Sequence, residues 1–166
     1  MGQQQLILLV LATVIVGLAI VVGIAAFTQG GDNANADAMM QDAVTIANDI
    51  QSWAQTPTPF GGPESGEDFT DADFPVLGYQ QDETEDNGET VDDPLSHTNL
   101  NGTFTITQGN DDILIRGESF IDGDEEETRN RIEVRVCSSR GADQIVGRNM
   151  IIGGQDVNTT SPACPD

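Results

Sequence analysis

The sequence contains no lysine, and its positive charge rests on six arginines, Arg116, Arg129, Arg131, Arg135, Arg140 and Arg148. Against 28 acidic residues they leave a formal net charge of -22. So little cationic surface cannot neutralise a phosphate backbone, which excludes nucleic acid as a partner. The single histidine, His97, and the two cysteines, Cys137 and Cys164, fall short of a closed metal-ligand set. His97 stands beside Ser96 with no Gly-x-Ser-x-Gly pattern anywhere in the chain, so no nucleophile, base and orienting acid are marked out. The expectation is a protein that is not an enzyme and uses no cofactor.

The charge is also unevenly placed. Residues 1 to 115 hold 18 acids and no base, whereas 116 to 166 hold 10 acids and every arginine. A surplus of this size repels itself in dilute solution. At molar salt the Debye length falls to about 3 Å and most of that repulsion disappears. The composition therefore points to a high-salt habitat, although an acidic surface protein of an ordinary habitat shares it.

What the sequence has in quantity is apolar helix. From Leu6 to Phe27 there are 22 consecutive uncharged residues, enough at a rise of 1.5 Å to span roughly 33 Å, one bilayer thickness. After Gly30-Gly31, helical periodicity resumes with Met39, Met40, Ala43, Val44, Ala47, Ile50 and Trp53 on one face and Asp42, Asn48, Asp49 and Gln51 opposite. The expectation is a long helix over 1–54, apolar and then amphipathic, carrying one small head over 55–166. Glycine lowers helix propensity, so a break is expected at Gly30-Gly31, with Asp32 or Asn33 capping the restart. Met40, Val44, Ile50 and Trp53 are expected to pack helix to head.

A cleaved signal peptide is the competing reading of the amino terminus, since Ala34-Asn35-Ala36 resembles a cleavage site. The apolar core is longer than the 7 to 15 residues such peptides use, and no basic residue precedes it. A permanent single-pass anchor is the other alternative.

The stretch 56–101 reads as an acidic loop region: Thr56-Pro57-Thr58-Pro59, Gly61-Gly62-Pro63, then the acid-rich run from Asp82 to Asp93. Phe60, Phe69, Phe74, Val76, Leu77 and Tyr79 are its candidate anchors. Strands follow at Thr103–Thr107, Ile113–Ile121, Arg131–Val136 and Ile145–Ile152, with turns at Thr107–Asp111 and from Asp122-Gly123-Asp124. One apolar and one polar face imply an antiparallel sheet covered on one side, with the amphipathic half of the helix as its cover. The fold class is α+β.

Asp122, Asp124, Glu126, Thr128, Asn130 and Glu133 follow an EF-hand-like count. Glu127 stands where glycine is required, so Asp122, Asp124 and Glu126 make only a weak Ca²⁺ candidate and a solvated acidic hairpin is the default. The acid pairs at 82–83, 85–86 and 92–93 read the same way. Asn101 and Asn158 open glycosylation sequons. In an exported domain Cys137 and Cys164 are expected to pair and pin an otherwise irregular tail.

Gly2, a short polar stub, a long apolar helix, and an amphipathic half ending in Trp53 before a Pro- and Gly-rich exit together resemble the type IV pilin superfamily. MGQQQ followed by LILLVLATVIVGLAIVVGI looks like a bacterial group of pilin-like proteins with a very short leader. The resemblance covers about the first 60 residues in detail. It implies a pilin-like head on the helix, storage in the cytoplasmic membrane with the pilus assembly machinery as partner, and a homopolymer whose core is a bundle of apolar helices. Leu6, Leu9, Thr13, Val16, Ile20, Ile24 and Phe27 are the core candidates. Trimming after Gly2 would make Gln3 the first mature residue. Ile7 then occupies the position where typical members carry a glutamate that meets a neighbour's amino group. The amide oxygens of Gln3, Gln4 and Gln5 can accept hydrogen bonds in its place.

Three classes of function fit: a filament subunit for adhesion, attachment or motility, a minor pseudopilin of a secretion system, and a membrane-anchored or secreted binding domain. The first accounts for both halves of the helix and is the expectation carried forward.

Overall fold

The computed structural model describes residues 2–63, 69–86, 89–109, 112–120, 130–137, 144–152, 155–158 and 164. One helix, α1 (Gly2–Ala54), runs unbroken through both halves. The expected break at Gly30-Gly31 does not occur. Each glycine costs about 1 kcal/mol of propensity, but an interruption would strand four N–H and four C=O groups with no partner. No atom lies close enough to either glycine to force the chain apart. A short 3-10 turn, Thr58–Phe60, ends at Gly61, whose φ of 92° is open to glycine. The Trp53 indole Nε1 donates to the Gly61 carbonyl at 2.9 Å, folding the exit back on the helix end.

Eight strands follow, in two sheets. β1 (Asp82–Asp86) and β2 (Glu89–Asp93) form a separate antiparallel ribbon. β3 (Ser96–Thr98), β4 (Gly102–Gln108), β5 (Asp112–Ser119), β6 (Arg131–Cys137), β7 (Gln144–Ile152) and β8 (Gln155–Asn158) form one antiparallel sheet in chain order. The architecture is α+β: one long apolar N-terminal helix and small antiparallel sheets.

β4 to β7 answer to the strands read from alternation. β1, β2, β3 and β8 correct that reading, because 82–98 was expected to be loop and the tail irregular. Aspartate and glutamate are depleted in strands, so the acids of β1 and β2 masked a strand signal carried by Thr84, Thr90 and Val91 alone. β7 carries a bulge opposite Glu133/Val134, which lets it curve with its neighbours.

The core lies between the second half of α1 and one face of the sheet. Phe104 and Ile106 of β4, Ile113 and Ile115 of β5, and Ile132, Val134 and Val136 of β6 are buried against it. From the helix come Met39, Ala43, Ile46, Ala47, Ile50 and Trp53. Their spacing of three and four residues follows one helical stripe. Of the expected packing residues, Ile50 and Trp53 lie on the stripe and Met40 packs at its margin, whereas Val44 is 38% exposed. Val44 sits about 100° round the helix from Ala43, and Ile46 takes the place expected for it. Phe69 and Phe74 anchor the 69–79 segment as expected, with Leu77 and Tyr79 beside them. Phe60 and Val76 are exposed and are not anchors.

Gly102 and Gly117 exist for close approach. A Cβ on Gly102 would lie 2.3 Å from the Glu118 carbonyl oxygen, and one on Gly117 would lie 2.8 Å from the Phe104 ring.

Candidate assembly surface

The most prominent feature of the surface is the first half of α1. Leu6, Ile7, Leu8 and Leu9 are each about two-thirds exposed, and Phe27 is 85% exposed. By length and composition this helix can cross a membrane, and none of its most apolar stretch is buried in the head. Leu6, Leu9, Thr13, Val16, Ile20, Ile24 and Phe27 all project from it uncovered. Thr13 is no polar interruption, since its hydroxyl donates to the Val10 carbonyl at 2.9 Å. Thr28 does the same to Ile24 at 3.2 Å. Both threonine hydroxyls on this surface thus find an acceptor within their own helix, as an apolar surrounding requires. Gly2 and Gln3 form the first residues of the helix.

Rigid coupling of this helix to the head depends on polar contacts at the point of exit. Asn35 is buried and its amide donates to the Asn101 carbonyl at 3.0 Å. Asn130, 1% exposed, donates through Nδ2 to the Asp32 carbonyl at 2.8 Å and to Asn35 Oδ1 at 3.2 Å. Two turns further on, the Asp42 carboxylate accepts from Asn99 at 2.9 Å and from Asn101 at 2.7 Å. Asp49 accepts from the Tyr79 hydroxyl. Burial, reinforced by this carboxylate, pushes the Tyr79 hydroxyl well above the ordinary tyrosine range. The Tyr79 ring packs on Phe74 and His97, with centroids 5.9 and 5.3 Å away.

The remaining expected site residues are placed as follows. Cys137 and Cys164 are bonded to each other, so the tail returns to the end of β6. Asn101 carries a sequon, yet its Nδ2 is the donor to Asp42. Asn158 ends β8. Asp122, Asp124 and Glu126 lie outside the described residues. Of the same acidic count, Asn130 is spent on the helix and Glu133 on Arg116, 3.1 Å away. His97 Nδ1 is 2.6 Å from the Gln80 carbonyl, to which it must donate, and Ser96 Oγ donates to Asp82 at 2.8 Å. These two neighbours therefore serve different partners. Among the described residues no three His, Cys, Asp or Glu side chains converge as a metal site.

Asn35, Asp42, Asp49, Asn99 and Asn130 were not singled out as helix-to-head contacts by sequence, whereas Tyr79, an expected anchor, does reach the helix through Asp49. The partners of Asn130 lie 95 and 98 residues away, beyond the reach of any local pattern.

No protein-family profile, characterised protein or solved structure matches the chain.

Proposed function

We propose that this chain is the structural subunit of an extracellular type IV pilus-like filament that mediates adhesion or surface attachment in a high-salt environment. It waits in the cytoplasmic membrane and polymerises by transferring its apolar helix from lipid to a bundle of identical helices. The observation that carries this reading is the exposure of residues 6 to 27 on a helix locked to a folded head. Lipid and helix bundle are equally apolar, so the transfer is driven by close packing and hydrogen bonding. Gly17 and Gly23 have open space around them and let neighbouring backbones approach. A contact between unlike patches that does not close into a ring extends as a helix.

The same exposed helix supports a second reading, a permanent single-pass anchor for a binding head. The experiment that separates them is the intact mass of the chain in filaments sheared from whole cells in high salt. A mass starting at Met1, Gly2 or Gln3 supports the polymer and reports any trimming. A soluble form starting at Asp37, with no chain in filaments, overturns it. A chain that stays monomeric in detergent and forms no fibres favours the anchor, and a trace component among other filament proteins favours a minor pseudopilin.

A further inference from the structure

The end of the sheet nearest the apolar half of α1 carries two apolar side chains that the head leaves uncovered. Leu100, at the tip of the turn between β3 and β4, is 98% exposed, and Phe120, which follows β5, is 57% exposed. The β4–β5 register pairs Gly102 with Ser119, so the two lie at the same end of adjacent strands. The turn is built to hold Leu100 out. Asn99 Oδ1 accepts from the Asn101 and Gly102 amides at 2.8 and 3.2 Å, and the Asn99 amide donates to the Gly102 carbonyl at 3.0 Å. The Asn99 and Asn101 side chains are both spent on Asp42. The residues around Leu100 thus fix the shape of the turn and fasten it to the helix.

Hydrogen bonds set the height of this end along α1. Ser119, beside Phe120, donates its amide to the Asn130 carbonyl, and Asn130 holds the Asp32 carbonyl. The Asn101 carbonyl accepts from Asn35. Asp32 and Asn35 follow Phe27, the end of the apolar run, by about 7.5 and 12 Å at a rise of 1.5 Å per residue. The headgroup layer of a bilayer is about 5–8 Å deep on each side. With Leu6 to Phe27 in the hydrocarbon, Phe120 is therefore level with the outer headgroups. A tilt of about 20° toward the sheet, an ordinary value for a spanning helix, lowers the Leu100 turn to the same level. Acids border this end as they do most of the head: Asp32 and Asp37 on the helix and Glu118 on β5. Attraction to anionic headgroups is thereby excluded, and what this end offers lipid is apolar surface.

We propose that Leu100 and Phe120 form a lipid-contacting edge, which seats the head on the surface of the bilayer from which its own helix emerges. The proposal rests on the membrane stage of the function proposed above and names what the head touches there. Lipid is the occupant because α1 is long and apolar enough to cross a membrane, and the head is bonded to it within reach of that surface. A second copy would instead bring the same surplus of acids to the contact. Apolar side chains at a membrane surface bind in proportion to the apolar area they bury, so the two tips enter the interfacial layer while Asp32, Asp37 and Glu118 stay in water at its margin. Molar salt screens those carboxylates from the lipid phosphates. The seat also fixes the direction in which the helix leans, toward its own sheet.

The test uses the full chain reconstituted in phosphatidylcholine vesicles in molar salt, with acyl chains brominated near the headgroup to quench any indole they touch. Leu100→Trp and Phe120→Trp place the probe on the edge. Phe60→Trp, at a site 82% exposed past the other end of the packed helix, and the wild type with Trp53 alone are the references. The three substituted positions are exposed, so none of these changes disturbs the core. Both edge variants should be quenched several-fold more than Phe60→Trp, and unbrominated lipid should abolish the difference. Edge variants quenched no more than Phe60→Trp, in vesicles that carry the chain, would overturn the contact alone. Edge indoles that go unquenched in vesicles and shift to the blue only in filaments would overturn it as well, by assigning the edge to a neighbouring copy. A chain that does not float with the vesicles would overturn the membrane reading and this contact with it.

Discussion

Asn130, the residue before β6, donates across the helix-to-head boundary to Asn35 Oδ1 at 3.2 Å, and both side chains are buried. The same amide holds the Asp32 carbonyl at 2.8 Å, and the Ser119 amide donates to the Asn130 carbonyl at 2.9 Å. One side chain therefore links the last turn of free helix to the strands beneath it. Removing it leaves the buried Asn35 Oδ1 without this donor, at about 1–3 kcal/mol. Asn130→Ala should lower head stability by about 2 kcal/mol. The check is chemical denaturation in detergent, followed through Trp53, whose indole reports the opposite end of the packed helix. An unchanged midpoint would mean that the bond contributes nothing.

Tyr79 and Asp49 make the helix-to-loop contact sensitive to alkali. The folded protein holds the Tyr79 proton more tightly than the unfolded chain does, because burial and the Asp49 carboxylate disfavour the phenolate. The stabilisation is thus fully present below the usual tyrosine value of about 10 and is lost as pH rises above it. Unfolding midpoints of the wild type should fall in that alkaline window, less steeply than the limiting slope because the ring is only half-buried and solvent screens it. Tyr79→Phe should be less stable at neutral pH and lack this component of the alkaline decline. Parallel pH profiles for the two proteins would count against the assignment.

The bond between Cys137 and Cys164 closes a segment of 27 residues. In the chain-entropy model that constraint contributes roughly 3.5 kcal/mol. Cys137 shares the alternation of Arg131, Glu133 and Arg135, and the bond ties Cys164 to the end of β6. Cys137→Ala/Cys164→Ala should lose about that much stability and become cleavable in its tail. Equal denaturation midpoints with and without reductant would show that the tail is held by other means.

How far the sequence disclosed this structure depends on the range of each signal. The apolar run and the strands β4 to β7 repeat one pattern over many residues, so the helix, the sheet and the covered face were legible. The margin of the helical stripe was not, because Ala43 lies between two candidate neighbours and the shape of the sheet selects Ile46 over Val44. The acidic ribbon was missed because its composition argues against strand even though its register forms one. Asn35 and Asn130 were missed for a different reason. An asparagine looks like a turn or cap residue until its distant partner is known, and here each supplies what the other needs.

Salt is the variable that separates the forces in the proposed filament. The net charge is -22 per chain, and in an assembly of identical copies every head adds the same sign. In dilute buffer the Debye length is about 30 Å at 0.01 M, so repulsion between heads is little screened and accumulates along the polymer. The apolar helices are little affected by this change, because hydrophobic packing is not screened. Filaments assembled in molar salt should therefore loosen or dissociate on dialysis into dilute buffer, and re-form when salt returns. Turbidity and electron microscopy before and after dialysis make the measurement, with circular dichroism to show that the heads remain folded. A variant with several of the unpaired acids changed to the corresponding amides should survive the dialysis. Filaments of the unmodified chain that persist unchanged across this range would mean that helix packing alone outweighs the charge, and the high-salt reading of the composition would fall.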